Sequence, residues 1–155
     1  MTIKSSQFMG EAIKQAEIAF KKNEVPIGAV VVKDNQIIAS SHNQNITLKD
    51  PTAHAEILAI RKAGEILGEK YLENCDLYVS LEPCPMCAGA ISLARIRRLY
   101  YAASDEKSGG VENGAKVFSQ SQCHHKPEIY SGIGALESQK LIKEFFFQKR
   151  SKAAK

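Results

Sequence analysis

His54 and Glu56 stand two residues apart, and Cys84 and Cys87 follow later in the chain behind Pro83. The two groups read His-Ala-Glu and Pro-Cys-Pro-Met-Cys. One imidazole and two thiolates make a good ligand set for zinc. A structural zinc site closes with a fourth Cys or His, whereas three protein ligands leave a position for water. Zinc lowers the pKa of such a water to about 7, so hydroxide is at hand at neutral pH. Glu56 is not needed as a ligand. A carboxylate at that place can carry the water's proton. With His54 neutral and Cys84 and Cys87 ionised, the three ligands and Zn²⁺ together carry a charge near zero.

The arrangement matches the H-x-E…P-C-x-x-C signature of zinc nucleobase deaminases. In that chemistry hydroxide adds to an amidine-like ring carbon and ammonia leaves. The proton goes first to the ring nitrogen and then to the amine, and Glu56 is the carrier. Two plainer readings of the cysteines compete. A lone Cys-x-x-Cys can be a redox pair, but the accompanying His-x-Glu speaks against it here. A structural finger would need a paired fourth ligand. Cys75 and Cys123 are in no such spacing. Cys75 opens an apolar run and reads as a buried thiol. Cys123, with His124 and His125, reads as a solvated loop and only weakly as a second metal site.

Elements must bring the two motifs together. Asp50-Pro51-Thr52 reads as a helix start, followed by an apolar face of Ile57, Leu58, Ile60, Ala63, Ile66 and Leu67. His54 and Glu56 then fall in the first turn. Pro83-Cys84-Pro85 opens a second helix over residues 86–94, with Cys84 and Cys87 on one side. Two helix N-termini would face one metal and favour thiolate and hydroxide. A helix over 6–22 places Phe8, Ala12, Ala16, Ala19 and Phe20 on one face. Residues 25–33 and 36–41 form a hairpin around Asp34-Asn35. Strands at 76–81 and 98–103 follow the two metal helices and imply parallel pairing beside the hairpin. Residues 105–123 read as loop with at most a short helix, and 136–150 as a closing amphipathic helix. The expected fold is α/β: a three-layer α/β/α cytidine-deaminase-like arrangement, with a mixed sheet of about five strands flanked by helices. One domain is expected over residues 1–150, with a frayed basic tail at 151–155.

The chain has 155 residues, 44% hydrophobic and 25% charged, which suits one globular domain with a real core. It contains no apolar stretch long enough to span a membrane and no apolar export region near its start. Four cysteines beside a metal motif point to a reducing cytoplasm. The net charge of +4 is mild and compatible with a nucleic-acid partner. Basic residues concentrate at the end, where Lys149, Arg150, Lys152 and Lys155 follow Phe145-Phe146-Phe147.

Over nearly its whole length the chain resembles bacterial tRNA-specific adenosine deaminases. The residues that carry the resemblance are Glu24-Val25-Pro26-Ile27-Gly28-Ala29-Val30, Asn43, Asp50-Pro51-Thr52-Ala53-His54-Ala55-Glu56, and the run from Tyr78 through Cys87 to Ala90. Asp105 with Lys107 and the terminal Phe-Phe with basic residues complete it. The resemblance implies wobble adenosine-to-inosine conversion with one zinc per subunit on His54, Cys84 and Cys87, and Glu56 as proton shuttle. It implies that Asn43 contacts the target base, and an amide can read a purine edge. It places Asp105 near the ribose of the next anticodon-loop nucleotide, although an ordinary turn Asp is the alternative. It assigns Phe145 and Phe146 to the loop bases, while helical spacing requires one of the three adjacent Phe to face inward. Lys149 and Arg150 would hold loop phosphates. The implied partners are a tRNA anticodon stem-loop and a second subunit. Arg95, Arg97 and Arg98 could face either. The chain departs from the family pattern at Phe147, where a basic residue is common, and at His124-His125-Lys126 within the divergent stretch 117–127. Two other functions compete: deamination of a free base or nucleoside, and RNA binding without catalysis. The first has no use for a basic aromatic C-terminal helix. The second would not require an intact Glu56.

Overall fold

In the computed structural model, residues 3–153 are described. Helix α1 (Ile3–Lys21) leads into strand β1 (Gly28–Lys33), which turns at Asp34-Asn35 into β2 (Gln36–His42). Both turn residues have φ near +55° (51° and 60°), the left-handed conformation that matches the strand twist in a two-residue hairpin. Helix α2 (Ala55–Leu67), strand β3 (Cys75–Leu81), helix α3 (Pro85–Ala94) and strand β4 (Arg98–Ala103) follow. A short edge strand, β5 (Glu128–Ser131), precedes the closing helix α4 (Ala135–Ala153). Helix α4 thus continues through residues 151–153, where a frayed tail was expected. Lys155 lies outside the described residues.

The sheet order is β2-β1-β3-β4-β5. The β3–β4 pair is parallel, as the strand–helix–strand step requires, and so is β4–β5. The step from β2 through α2 to β3 differs from expectation. Strand β3 does not pair with β2 but crosses over β1 and pairs with it antiparallel. It can, because β1 already runs opposite to β2.

Strand alternation sorts the core into two layers. Ala29, Val31, Leu77, Val79, Leu99 and Tyr101 pack with Ala55, Ala59 and Ala63 of α2 and Ala88 and Ile91 of α3. Val30, Val32, Tyr78, Tyr100 and Ala102 pack on the other face with Met9, Ala12 and Ile13 of α1 and Leu141 of α4. This is the expected three-layer arrangement. Small residues let the helices sit close. At Gly28, an added Cβ would lie 2.0 Å from the Ala12 carbonyl oxygen, so any side chain would push α1 off the sheet. On the α1 face, Tyr78 and Tyr100 stack with centroids 4.2 Å apart, and Tyr130 extends the ladder from β5 at 5.0 Å. Both α2 and α3 begin at the same end of the sheet, and their first residues build the site.

Candidate active site

His54 is the N-cap of α2 and Cys84 is the N-cap of α3. The expected helix start at Asp50 is displaced by four residues. Asp50 instead accepts hydrogen bonds from the Thr52 N–H and hydroxyl, at 2.8 and 2.7 Å, closing a local turn before the helix. Neither N-cap uses its own side chain for capping, which leaves imidazole and thiol free to serve as ligands. At α2 the capping acceptor comes from elsewhere: Asn43 Oδ1 accepts the Ala55 N–H at 2.8 Å. Pro85 takes the first position of α3, where its missing N–H costs nothing. Cys87 follows within the same turn.

The result is a compact ligand set. His54 Nδ1 lies 3.6 Å from Cys84 Sγ and 3.4 Å from Cys87 Sγ. Tetrahedral zinc, with Zn–S about 2.3 Å and Zn–N about 2.0 Å, spaces nitrogen and sulfur about 3.5 Å apart. All three ligand atoms lie within 4.8 Å of one another, and no other such group occurs among the described residues. Cys123, His124 and His125 do not come together as such a group.

Proton competition within the set also fits a divalent cation. Cys84 is drawn down to about 4 by hydrogen bonding from Cys87 and, against burial, from His54. His54 is raised chiefly by its contact with Cys84. Cys87 is pushed far up by its contact with Cys84 and by burial. One thiolate thus suppresses ionisation of the other, a conflict that a 2+ ion removes. Both helix N-termini add positive potential.

Glu56 is the second residue of α2 and only 3% exposed. Burial raises its pKa to about 7, against a lowering pull from backbone and from His54. Among the described residues its Oε1 has no hydrogen-bond partner. A buried carboxylate oxygen without a partner is costly in a purely structural setting. Beside a zinc-bound water it would have one.

The other expected site residues divide. Asn43 is buried at the α2 N-terminus, with its Oδ1 spent on the cap. Asp105 is half-buried; its Oδ1 accepts the N–H groups of Lys107 and Ser108 at 3.1 and 3.0 Å, so it is a turn Asp whatever else it does. Phe145 requires a correction. It is 5% exposed and packs edge-on against Phe20 of α1 at 5.9 Å, so it belongs to the core and offers no stacking face. Phe146 and Phe147 are exposed at 42% and 59%. Lys149 Nζ lies 5.4 Å over the Phe145 ring, and Arg150 is exposed. This part of α4 adjoins the end of α1, which runs into Glu24. Glu24 in turn accepts the Ile46 and Thr47 N–H groups at 3.1 and 2.7 Å, tying the loop before His54 to the same corner.

Arg97 and Arg98 both pair with Asp76, and Arg98 also with Glu128. Arg95 pairs with Glu73 and lies 3.8 Å over the Tyr71 ring. All three sit around the start of β3 and β4, at the end of the sheet away from the ligands. His125 is not the solvated residue expected. Its Nε2 is 2.6 Å from the Ile96 carbonyl, and its own carbonyl accepts the Ser92 hydroxyl at 2.8 Å. Two buried residues with polar roles around the site, Glu24 and Glu82, were not read from the sequence as functional. Each is an acidic residue at the border of an apolar run and close to a proline, Glu24 two residues before Pro26 and Glu82 directly before Pro83.

The MafB19-like deaminase family profile matches residues 3–151. The chain is 54% identical over 145 residues to the tRNA-specific adenosine deaminase of Agrobacterium fabrum, covering 94% of this chain and 95% of that one. A solved structure from studies of A-to-I editing by tRNA:A34 deaminases superposes with a TM-score of 0.86 at 55% identity, covering 87% of this chain and 98% of the other. The guanine deaminase structure from Bacillus subtilis matches with a TM-score of 0.62 at 46% identity, over 67% of this chain and 66% of the other. No helix among the described residues is long and apolar enough to cross a membrane.

Proposed function

The chain belongs to the tRNA-specific adenosine deaminase family, and from that premise we propose that it hydrolyses adenosine to inosine at wobble position 34 of a tRNA anticodon. The reading includes one zinc per subunit, a cytoplasmic location and a homodimer. The observation that carries the chemistry is Glu56: a buried carboxylate with one unpartnered oxygen, next to three ligand atoms at zinc spacing.

Zinc held by His54, Cys84 and Cys87 supplies Lewis acidity that brings the pKa of water near 7. Glu56 does the proton work. Its burial and its unpartnered oxygen suit a group that must accept and return a proton. Oε1 takes a proton as water oxygen attacks C6 of the adenine. The carboxyl then delivers it to N1, takes the proton of the new C6 hydroxyl and passes it to the exocyclic nitrogen, so ammonia leaves as the C6–N bond breaks and the C6=O bond forms. Asn43 positions the base. Its Oδ1 is fixed by the Ala55 N–H, so Nδ2 is the group directed to a purine acceptor. The two helix N-termini keep the site favourable to negative charge throughout.

An anticodon loop presents an unstacked base without the cost of opening a duplex. Phe146, Lys149 and Arg150 on α4 are suited to hold such a loop through stacking and phosphate contacts. Phe145 supports them from beneath.

The experiment compares zinc-loaded enzyme on an anticodon hairpin, free adenosine, guanine and cytidine. Inosine in the hairpin, with little turnover of the free compounds, is expected. Efficient turnover of guanine with none in the hairpin would move the chain to the free-base reading, to which its likeness to a guanine deaminase points.

A further inference from the structure

Glu82 sits two residues before the ligand Cys84 and is 2% exposed. The chemistry proposed for the site does not use it. Yet its two oxygens accept five hydrogen bonds, all from one segment, residues 105–113. Oε1 accepts the Asp105 N–H at 3.0 Å and the Asn113 Nδ2 amide at 2.7 Å. Oε2 accepts the N–H groups of Val111, Glu112 and Asn113 at 3.1, 3.0 and 3.0 Å. A loop that turns back on itself leaves its N–H groups pointing inward, and a carboxylate can gather several of them at once.

The same segment is pressed onto the ligand turn. The Gly110 N–H donates to the Pro83 carbonyl at 2.8 Å. A Cβ on Gly110 would lie 2.5 Å from Pro85 N, and one on Gly109 would lie 2.5 Å from Glu82 Oε2. Only glycine permits so close an approach at either place. Backbone contact and carboxylate hub therefore lock one loop against the Cys84–Pro85 junction.

We propose that Glu82 is a positioning residue, whose carboxylate fixes the 105–113 loop on the Cys84–Pro85 ligand turn and thereby sets Asp105 at the edge of the substrate site. The assignment rests on the function proposed above, because it gives Asp105 an RNA-facing role. Loop and ligand turn then act as one rigid unit, so the nucleotide beside the target base is registered against the same backbone that carries Cys84.

The test uses full-length, zinc-loaded Glu82→Gln. An amide cannot replace the carboxylate in either orientation, since its NH₂ would face two or three N–H donors. Zinc content is expected to stay at the wild-type level. Backbone amides of Asp105 and 111–113 should exchange with solvent at least about tenfold faster, as bonds to a charged acceptor are lost. KM for the anticodon hairpin should rise about tenfold, with kcat changed much less. If Glu82→Gln does not fold, Asn113→Leu removes a single donor, and its KM and exchange should shift in the same direction by a smaller factor. Unchanged exchange at these amides, or faster exchange with unchanged KM, would overturn the proposal. Hydrogen exchange is measured on the free enzyme. A wild-type protein inactive on the hairpin would therefore refute the function while leaving the hold of Glu82 on the loop separately decided.

Discussion

Glu56 and Glu82 are both almost fully buried carboxylates, each two residues from a member of the His54–Cys84–Cys87 cluster, yet their surroundings are opposite. Glu82 has acceptors matched to five donors, and these bonds outweigh its burial and hold its pKa below the ordinary carboxylate value. Glu56 has an unpartnered oxygen, and burial drives its pKa up to about 7. The difference separates structure from chemistry. A buried acid whose lone pairs are filled is fixed in charge and position. One with a lone pair to spare can exchange a proton at neutral pH. Glu24 belongs with Glu82, and the aromatic residues of α4 divide in the same way: Phe145 is buried, and Phe146, edge-on to it at 5.3 Å, keeps part of its ring exposed.

The largest break in the comparison comes from removing the spare carboxylate. Glu56→Ala should lower turnover on the hairpin by at least about 10²-fold, the lower end for loss of a general acid–base group. Zinc should stay, since Glu56 is not needed as a ligand, and the protein should still fold cooperatively. Metal analysis, calorimetry and single-turnover kinetics check the three parts. Near-normal turnover would remove Glu56 from the mechanism.

The aromatic pair sharpens the contrast by separating stability from binding. Phe145→Ala removes a ring buried between α1 and α4, a change that typically costs about 3–5 kcal/mol of folding stability. Phe146→Ala should change stability by less than about 1 kcal/mol. It should instead weaken hairpin binding by the stacking contribution, about 1–3 kcal/mol. Urea denaturation and RNA titration on both variants give the two axes. A Phe146→Ala variant with unaltered RNA affinity would take stacking away from this helix.

Satisfied carboxylates also have a pH signature. Glu24 is 1% exposed. Burial raises its pKa, but the Thr47 and Ile46 N–H groups and the Thr47 hydroxyl pull it net below the ordinary 4.5. Glu82 is lowered in the same sense. A depressed folded-state pKa contributes stability that is present above the unfolded value and lost as pH falls through the folded one. Wild-type protein should therefore lose stability steeply below about pH 4.5. Glu24→Gln should be less stable at pH 7 and show a shallower acid slope. Urea midpoints between pH 3 and 7 measure it, and an identical slope in both proteins would refute the assignment.

These contrasts also mark what could be read from the sequence. The clustering of His54, Cys84 and Cys87, with Glu56 beside them, was legible because each motif is local: residues two or three apart at an element boundary carry their geometry in their spacing. The continuous apolar runs Ala29-Val30-Val31-Val32 and Leu77-Tyr78-Val79 were enough for strands buried on both faces. Residues whose role depends on distant partners were not legible. The bonds of Glu82 reach 23 to 31 residues ahead, and those of Glu24 reach 22 or 23. The helix cap at Ala55 comes from Asn43, so Asp50-Pro51-Thr52, a good start signal in isolation, lost to a side chain twelve residues earlier. Strand β5 went unread because it is a four-residue, largely exposed edge strand with no apolar alternation. Phe145 and Phe146 differ only in which way the helix faces, and that is decided by Phe20 on another element.

The smallest expected effect concerns the arginines, where the same division predicts a difference in salt dependence. Arg98 is bridged to Asp76 at 3.6 Å and to Glu128 at 3.2 Å, and it lies at the end of the sheet away from the ligands. Its charge is already neutralised by protein carboxylates, so few counterions remain to be released from RNA on its account. Arg150 is exposed on the last turns of α4, with no salt bridge among the described residues. A cation that meets a phosphate contributes roughly one unit to the slope of log affinity against log salt. Arg150→Ala should therefore flatten that slope by about one unit, and Arg98→Ala should leave it within experimental error. Hairpin titrations across a salt series resolve the two. A slope change in Arg98→Ala as large as that in Arg150→Ala would show that RNA reaches the far end of the sheet, either along one subunit or across to the second. The paired arginines would then have to be counted with the substrate surface.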